Sequence, residues 1–493
     1  MSSAASSPER TPVLVGIGTA SRHEEDCRRA LEPMDLMLEA VAAAGADADA
    51  VPAALRGVQF IGVPQGRWHY RNPSGEIART IGAKGAKTVL TSVGVLQQTL
   101  IGEACSAIAR GEMHSTLIAG ADAGYRMLRA QIARVELTER AQSDAPDVVL
   151  APADELRHPV ELRAGMKMPV GLYAIMESAC RAEAGLTLAQ HRDQLAELGK
   201  QFSDVAASNP HAWQRKSLSV DQIRDASRSN PMQAFPYTRA HCSTWNVDQA
   251  AALLFCSVAR AKELGIDESK WIYPVASTES NHMVPVSARA ELTVCRGAQV
   301  AGRGALAAGG FTADQLDLVD LYSCFPVAVQ QFAEAIGLPL SGALTVTGGM
   351  PFAGGPYNNY VLQATCRVAE LLRGGRGRNA LISCVSGVLT KQAYGLWSRE
   401  PGRNGFVHAD VTDEVGAQGR TLEVLADFSG EAKVAGYTVL YGRDQKPRVV
   451  ALMDTAEGKR ALCTSESESL VKRMQQEEFV NRIMAVRSNE LLL

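Results

Sequence analysis

At 493 residues the chain is too long for one hydrophobic core, and its 46% hydrophobic and 21% charged content is that of an ordinary globular protein of two or three domains. A net charge of −3 with only 5% aromatic residues leaves no footprint for nucleic acid and no handle for an anionic membrane. The 10 cysteines contain no C-x-x-C pair and read as reduced thiols of a cytoplasmic protein, and no apolar run reaches the roughly 18 residues of a membrane span.

Residues 1–11 are Ser/Ala-rich without an apolar stretch and read as a disordered leader. Pro12–Thr19 is a short buried strand, 33–44 has helical apolar spacing, and 58–62 is a second strand. A helix opened by Ser74 follows, then a strand at 88–94 running into a small-residue turn. Gln97–Ala109 is a helix ended by Gly111, and 115–122 is a fourth strand. Apolar strands alternating with helices predict an α/β fold with a largely parallel buried sheet.

The stretch 125–245 reads as an insertion. Residues 143–164 are loop-like, 170–185 and 187–206 are two helices (the second capped by Thr187), and 230–246 is an irregular loop. His191 and His211 lie in this insertion and read as structural. Strand, turn, helix and strand then recur. Leu318–Tyr322 is a strand, a helix follows Pro326, Leu344–Thr347 is a strand, 361–372 is a helix, and 380–383 is a strand. Thr88–Ala123 and Thr345–Ser386 follow the same order, which predicts two halves of similar topology. Residues 401–405 (PGRNG) are linker chemistry. The short alternating strands beyond them, 421–426, 432–441, 448–454 and 460–464, predict a small antiparallel barrel.

One stretch concentrates unusual residues. Residues 345–360, TVTGGMPFAGGPYNNY, hold four glycines, two prolines and two asparagines ahead of a helix. Glycine lets a ligand approach the backbone, and a helix start offers outward N–H groups. No H-E-x-x-H, no paired Cys/His spacing and no G-x-G-x-x-G after a strand is present, so neither a metal nor a nicotinamide cofactor is expected.

Several segments resemble the thiolase superfamily. Asn246-Val-Asp-Gln249-Ala-Ala-Ala252 is similar to the thiolase N-D-G-A-A-A segment, with Gln249 for Gly. Gly348-Gly349 through Gly354-Gly355-Pro356 is similar to G-G-x-x-x-x-G-H-P, and Tyr322-Ser323-Cys324-Phe325 to H-D-C-F. Cys384-Val-Ser386 is similar to C-x-G. The long segments 191–213, 320–329, 344–361 and 434–448 resemble the thiolase-like proteins type 1, often described as acetyl-CoA acetyltransferases. The resemblance covers 12–486. It implies a thiolase core of two tandem βαβαβαββ halves in five α-β-α-β-α layers (12–400, split near 257/258), then an OB-like β-barrel (405–493). It also implies acyl-CoA thioesters as substrate, coenzyme A only as part of that substrate, and a monomer or homodimer.

The same resemblance exposes what is missing. Gly94 stands where the thiolase nucleophile would open its helix, and Gly355 stands in place of the catalytic His. Cys105, three turns along the helix, reads as core. Thiolysis through an acyl-cysteine is therefore not expected. The remaining catalytic candidates are Tyr322, Cys384 and Tyr357. Gly94, His241, Ser243, Ser323, Gly354, Gly355 and Asn358 are candidates for substrate contact. Four functions stay open: acyltransferase-like handling of acyl-CoA, retro-aldol cleavage of a β-hydroxyacyl-CoA with a Tyr acid/base, acyl transfer through a relocated Cys384 or Cys324, and a catalytically silent acyl-CoA binder.

Overall fold

A computed structural model describes residues 7–50, 52–442 and 445–492. Of the expected leader, residues 1–6 lie outside the described residues, as do 443 and 444 of the turn that the sequence Gly442-Arg-Asp-Gln predicts. Pro8–Arg10 form a 3-10 turn, and Thr11 O accepts from Val258 N–H, so this part of the leader is tied to the core.

Two sheets repeat one motif. The first runs in the order Pro12–Ser21, Asp248–Ser257, Ser115–Ala123, Phe60–Pro64, Lys87–Thr91, with Val148–Leu150 added at the far edge. The second runs Leu318–Asp320, Asn379–Ser386, Lys391–Ser398, Tyr273–Ser280, with Val407–Asp410 added. In each sheet only the last strand of its half, 248–257 or 391–398, runs antiparallel to its neighbours. Strands 115–123 and 248–257 are buried along their whole length, which their near-continuous Ala/Leu/Ile texture foreshadows. The helices Gln97–Ala109 and Tyr360–Arg373 lie between the sheets, while Pro33–Asp47 and Arg296–Gly309 cover the outer faces. This is the expected five-layered α/β arrangement.

The insertion folds into the helices Val170–Glu183 and Leu188–Ser208. A buried carboxylate ties them to the core: Glu177 accepts from Tyr237 Oη (2.5 Å) and Gln330 Nε2 (2.8 Å) and pairs with His191 Nε2 (2.8 Å). The segment 143–164, expected as loop, contains strand 148–150 and the short helix Pro159–Arg163.

A closed five-stranded barrel follows the core. Its strands are Gly430–Gly442, Gln445–Thr455, Arg460–Ser465, Glu490–Leu491 and Ile483–Arg487, and the first pairs with both the second and the last. It docks on the insertion. Tyr437 N–H donates to Ser178 Oγ (2.8 Å), and the Arg181 guanidinium binds both oxygens of Glu478 (2.8 and 2.9 Å) across the Tyr437 ring.

Four expectations are corrected. Residues 344–347 are not a ladder strand, because the amides of Val346 and Thr347 donate to the Asp320 carboxylate instead. Residues 421–426 make only isolated bridges, Arg289–Thr421 and Val424–Arg460. Strand 407–410 belongs to the core sheet, so the barrel strands begin at 430 rather than 405. The helix expected at Ser74 is capped two residues earlier by Asn72, whose Oδ1 accepts from Gly75 N–H. No helix is long and apolar enough to cross a membrane among the described residues.

Candidate functional site

Asp320 organises the Gly-rich loop. Its buried carboxylate accepts from Tyr360 Oη (2.7 Å), Thr345 Oγ1 and Thr347 Oγ1 (both 2.9 Å), and the amides of Val346 and Thr347 (both 3.0 Å). Burial pushes its pKa up and these donors pull it back. The oriented hydroxyls then serve the loop: Thr345 Oγ1 accepts from Gly348 N–H, Thr347 Oγ1 from Gly349 N–H, and Ser323 Oγ from Met350 N–H. Gly355 N–H donates to Thr244 O, and Val361 N–H to Gln97 Oε1. These loop amides are engaged inside the protein, so the expectation of outward N–H groups here is corrected. The loop is a rigid wall.

Gly355 and Gly94, the two positions that the thiolase pattern singles out, are both tightly packed. Ser243 Oγ lies 2.0 Å from where a Cβ on Gly355 would sit, so a larger side chain there would have to displace Ser243. Ser243 N–H donates to Cys324 O (3.1 Å). Gly94 has φ +106°, a conformation that favours glycine, and Pro152 and Leu156 of the insertion lie over it. Gly354, at φ +108°, is closed off by the Gln249 amide.

Tyr322, Cys384 and Tyr357 come together. Tyr322 packs edge-on against Tyr360, its N–H donates to Ser383 Oγ, and Cys324, Cys384 and Tyr357 are the ionisable groups facing its phenol. Burial holds that phenol well above its ordinary range. The Cys384 thiol faces the backbone N–H groups of Gln97 and Gln98 at the start of helix 97–109, and burial pushes its pKa up to about 12 against their pull. At neutral pH both groups are neutral acids rather than nucleophiles. Asn358 Oδ1 accepts from Gln97 Nε2 (3.3 Å), while its Nδ2 and both polar atoms of Asn359 are buried without a partner among the described residues. Tyr357, with φ +48°, lies half-buried under the Arg67 guanidinium, which also covers the exposed Trp245 ring.

His241 is not part of this cluster. It is buried, Nδ1 accepts from the N–H and Oγ1 of Thr238, and its charge environment is Glu177, Arg192 and His191 of the insertion.

The molecule has close structural relatives. A crystal structure of a monomeric SCP2-thiolase like protein type 1 from Mycobacterium smegmatis superposes with a TM-score of 0.82 at 27% identity, covering 98% of this chain and 99% of that one. The chain belongs to the thiolase superfamily. An acetyl-CoA acetyltransferase of Methanothermobacter thermautotrophicus is 27% identical over 195 residues, 40% of this chain, and the match spans 46% of the relative's length. An Ltp2-ChsH2(DUF35) aldolase superposes with a TM-score of 0.61 at 17% identity over 80% of this chain and 99% of that one, a likeness of fold. No protein-family model matches the sequence.

Two residues of this thiolase-superfamily site are not evident from motif reading. Tyr173, from insertion helix 170–183, donates to Gly387 O (3.4 Å), accepts from Leu389 N–H (3.2 Å) and hydrogen-bonds the Cys324 thiol. Lys391 is only 4% exposed, and its ammonium makes no hydrogen bond or ion pair among the described residues. In the ladder it opposes Ser386, while Ala393 opposes both Cys384 and Glu279, so Lys391, Cys384 and Glu279 share one face. Burial lowers its pKa, opposed by Asp154 and Glu279. The available signal was a lysine opening the otherwise buried strand KQAYGLWS.

Proposed function

We propose that this protein binds acyl-CoA thioesters at the wall formed by 348–359, 322–325 and 384–387, and moves protons on them rather than forming an acyl-cysteine. The observation that carries this reading is the pair of amides at Gln97 and Gln98, converging on a neutral thiol at a helix start. Such a pair can take the developing negative charge of a thioester enolate. Trp245 and Tyr357 at the edge of the site, stacked on an Arg67 guanidinium that is itself paired with Asp122, offer aromatic faces for a nucleotide.

Among proton-transfer reactions, retro-aldol cleavage of a β-hydroxyacyl-CoA uses the groups present. Lys391, with its lowered pKa, takes the proton of the β-hydroxyl. The Cα–Cβ bond breaks, releasing an aldehyde or ketone, and the electron pair becomes the thioester enolate. Tyr322 or Cys384 then protonates Cα. Calorimetry should detect acetyl-CoA binding without an acetyl adduct by mass spectrometry, and a panel of β-hydroxyacyl-CoA esters should release a carbonyl product. Absence of binding to any acyl-CoA defeats the whole reading, whereas binding without product leaves a silent binder.

We also infer a monomer. The edge of the first sheet beyond strand 87–91 is covered by the three-residue strand 148–150, and a short edge strand is a poor template for pairing. Light scattering should return the single-chain mass of 52.6 kDa, and a dimer mass would refute this.

A further inference from the structure

On the outer side of the second sheet, where helix Arg296–Gly309 begins, lies a cavity of about 80 Å³. At roughly 10–15 Å³ per water that is room for about six waters, enough for a solute of roughly four to six non-hydrogen atoms. Exposed Arg420 and Glu291 stand at its rim, so it is open to solvent. Its charge is one-sided. Arg289, Arg296 and Arg420 line it against one acid among the described residues, Glu291, in a chain whose net charge is −3.

The three guanidiniums differ in what neutralises them. Arg296 pairs with Glu291 (3.2 Å), but both side chains are solvent-exposed and such pairs are worth little. Arg420 makes no side-chain hydrogen bond or ion pair among the described residues. Its backbone is nonetheless fixed, because Arg420 O accepts from Ala290 N–H and Leu422 N–H donates to Ala288 O. Arg289 points to an anion most directly. Its Nε donates to Val284 O (3.1 Å) and its Nη2 to Val388 O and Leu389 O (2.6 and 2.8 Å), while Nη1 meets the Met176 thioether (3.3 Å). Glu161, whose charge acts on Arg289, lies beyond ion-pair distance and accepts from the N–H groups of His158 and Ser287. Carbonyls orient a guanidinium but bring no net charge. Burial pushes the Arg289 pKa down, yet a guanidinium stays protonated, so a full positive charge sits beside the cavity without a counter-ion.

The helix adds to this charge. Gly297 is part of the cavity wall, and the N–H groups of Arg296 and Gly297 have no acceptor among the described residues. Over 14 residues the aligned peptide dipoles leave about half a positive charge at this end.

We propose that this cavity binds a small oxyanion, inorganic phosphate or a short-chain carboxylate, at a site separate from the acyl-CoA wall. The oxygens accept from the N–H groups of Arg296 and Gly297 and from the Arg420 guanidinium, and the negative charge neutralises Arg289. Arg289 grips the carbonyls of Val388 and Leu389, and the loop 387–390 joins Ser386 to Lys391, so the anion bears on the loop next to the proton-transfer groups. Leu389 has φ +47°, a conformation leucine seldom takes, and Tyr173 and Gln392 hold it there. An occupied cavity stiffens that loop.

The test is calorimetry on the full-length protein in a buffer free of phosphate and carboxylate. Inorganic phosphate and acetate are titrated separately, with chloride at matched ionic strength as the control. At least one should bind once per chain and saturate, and the tighter of the two names the source. Arg420→Gln, at an exposed position, should weaken that binding at least about 10-fold at an unchanged melting temperature, and Arg296→Gln should weaken it as well. At saturation, amides 387–391 and 296–297 should exchange hydrogen more slowly. Binding of neither anion beyond the chloride control overturns the proposal. So does undiminished binding in both variants, or protection confined to other parts of the chain.

Discussion

Lowering the pH from 7 to 4.5 should cost this protein about 2 kcal/mol through His241 alone. Burial pushes the His241 pKa down to about 4; Arg192 and His191 add to that, and Glu177 opposes it. Nδ1 accepts from Thr238, so the neutral ring carries its proton on Nε2, which has no partner among the described residues, and a second proton on Nδ1 would meet the Thr238 N–H. The unfolded chain takes up that proton near the ordinary value of about 6.5, and the folded chain near 4. Between those values the unfolded state holds more protons, so stability rises with pH across the window and is lost as pH falls through it. Below about 4 both states are protonated and this contribution is flat. Glu177, whose pKa is lowered despite burial by its contacts with His191, Tyr237 and Gln330, adds a loss of its own only in more acid solution. Urea midpoints at pH 7 and pH 4.5 check this. His241→Gln should start lower at pH 7, because the Thr238 contacts are disturbed, yet fall less on acidification. Parallel losses in wild type and variant would show that His241 does not carry the effect.

Asp320→Asn should destabilise the protein by about 3 kcal/mol. The amide is nearly isosteric with the carboxylate, so no cavity forms. The loss comes from hydrogen-bond polarity. Five donors converge on Asp320, and the Asn nitrogen would turn two hydrogens toward some of them. The effect should spread to the loop, because Thr345 and Thr347, which Asp320 orients, hold the amides of Gly348 and Gly349. Thermal unfolding should show the loss, and hydrogen exchange should show early opening at 345–350. A variant of wild-type stability with a protected loop would refute the role given to Asp320.

Neither of these two roles is legible in composition or periodicity. Asp320 sits in a three-residue strand, where an acid before a turn is unremarkable. What gives it weight is that Tyr360, 40 positions away, and both threonines point at it. The same holds for residues 344–347, whose β-branched pattern predicts a strand. A side-chain carboxylate captured the amides that a neighbouring strand would have taken. His241 looked like a loop histidine beside a ligand motif, and only packing of the insertion places it against Thr238 instead.

His211 shows the limit most clearly. In sequence it is one histidine in an insertion, 192 positions from Thr19 and 159 from Glu370, the two residues its ring hydrogen-bonds. No spacing rule connects residues on a first strand, an insertion and a late helix. Lys391 is the converse case, since the lysine was in plain view and its meaning depended on which face of the sheet it takes.

The sequence by itself determined the architecture. Alternating apolar strands and helices, repeated twice and followed by short alternating strands, specify two α/β halves and a barrel, because those patterns depend on local periodicity and on which faces must be buried. Its resemblance to thiolases also sets the expectation that Gly94 and Gly355 stand where a thiolate and an imidazole would be. The tertiary structure alone decided which groups meet. That covers the amides of Gln97 and Gln98 against Cys384, the insertion residues laid over Gly94 and Gly355, and the docking of the barrel on helix 170–183. Those contacts join residues far apart in the chain, and side-chain hydrogen bonding and desolvation become defined only once the layers are packed.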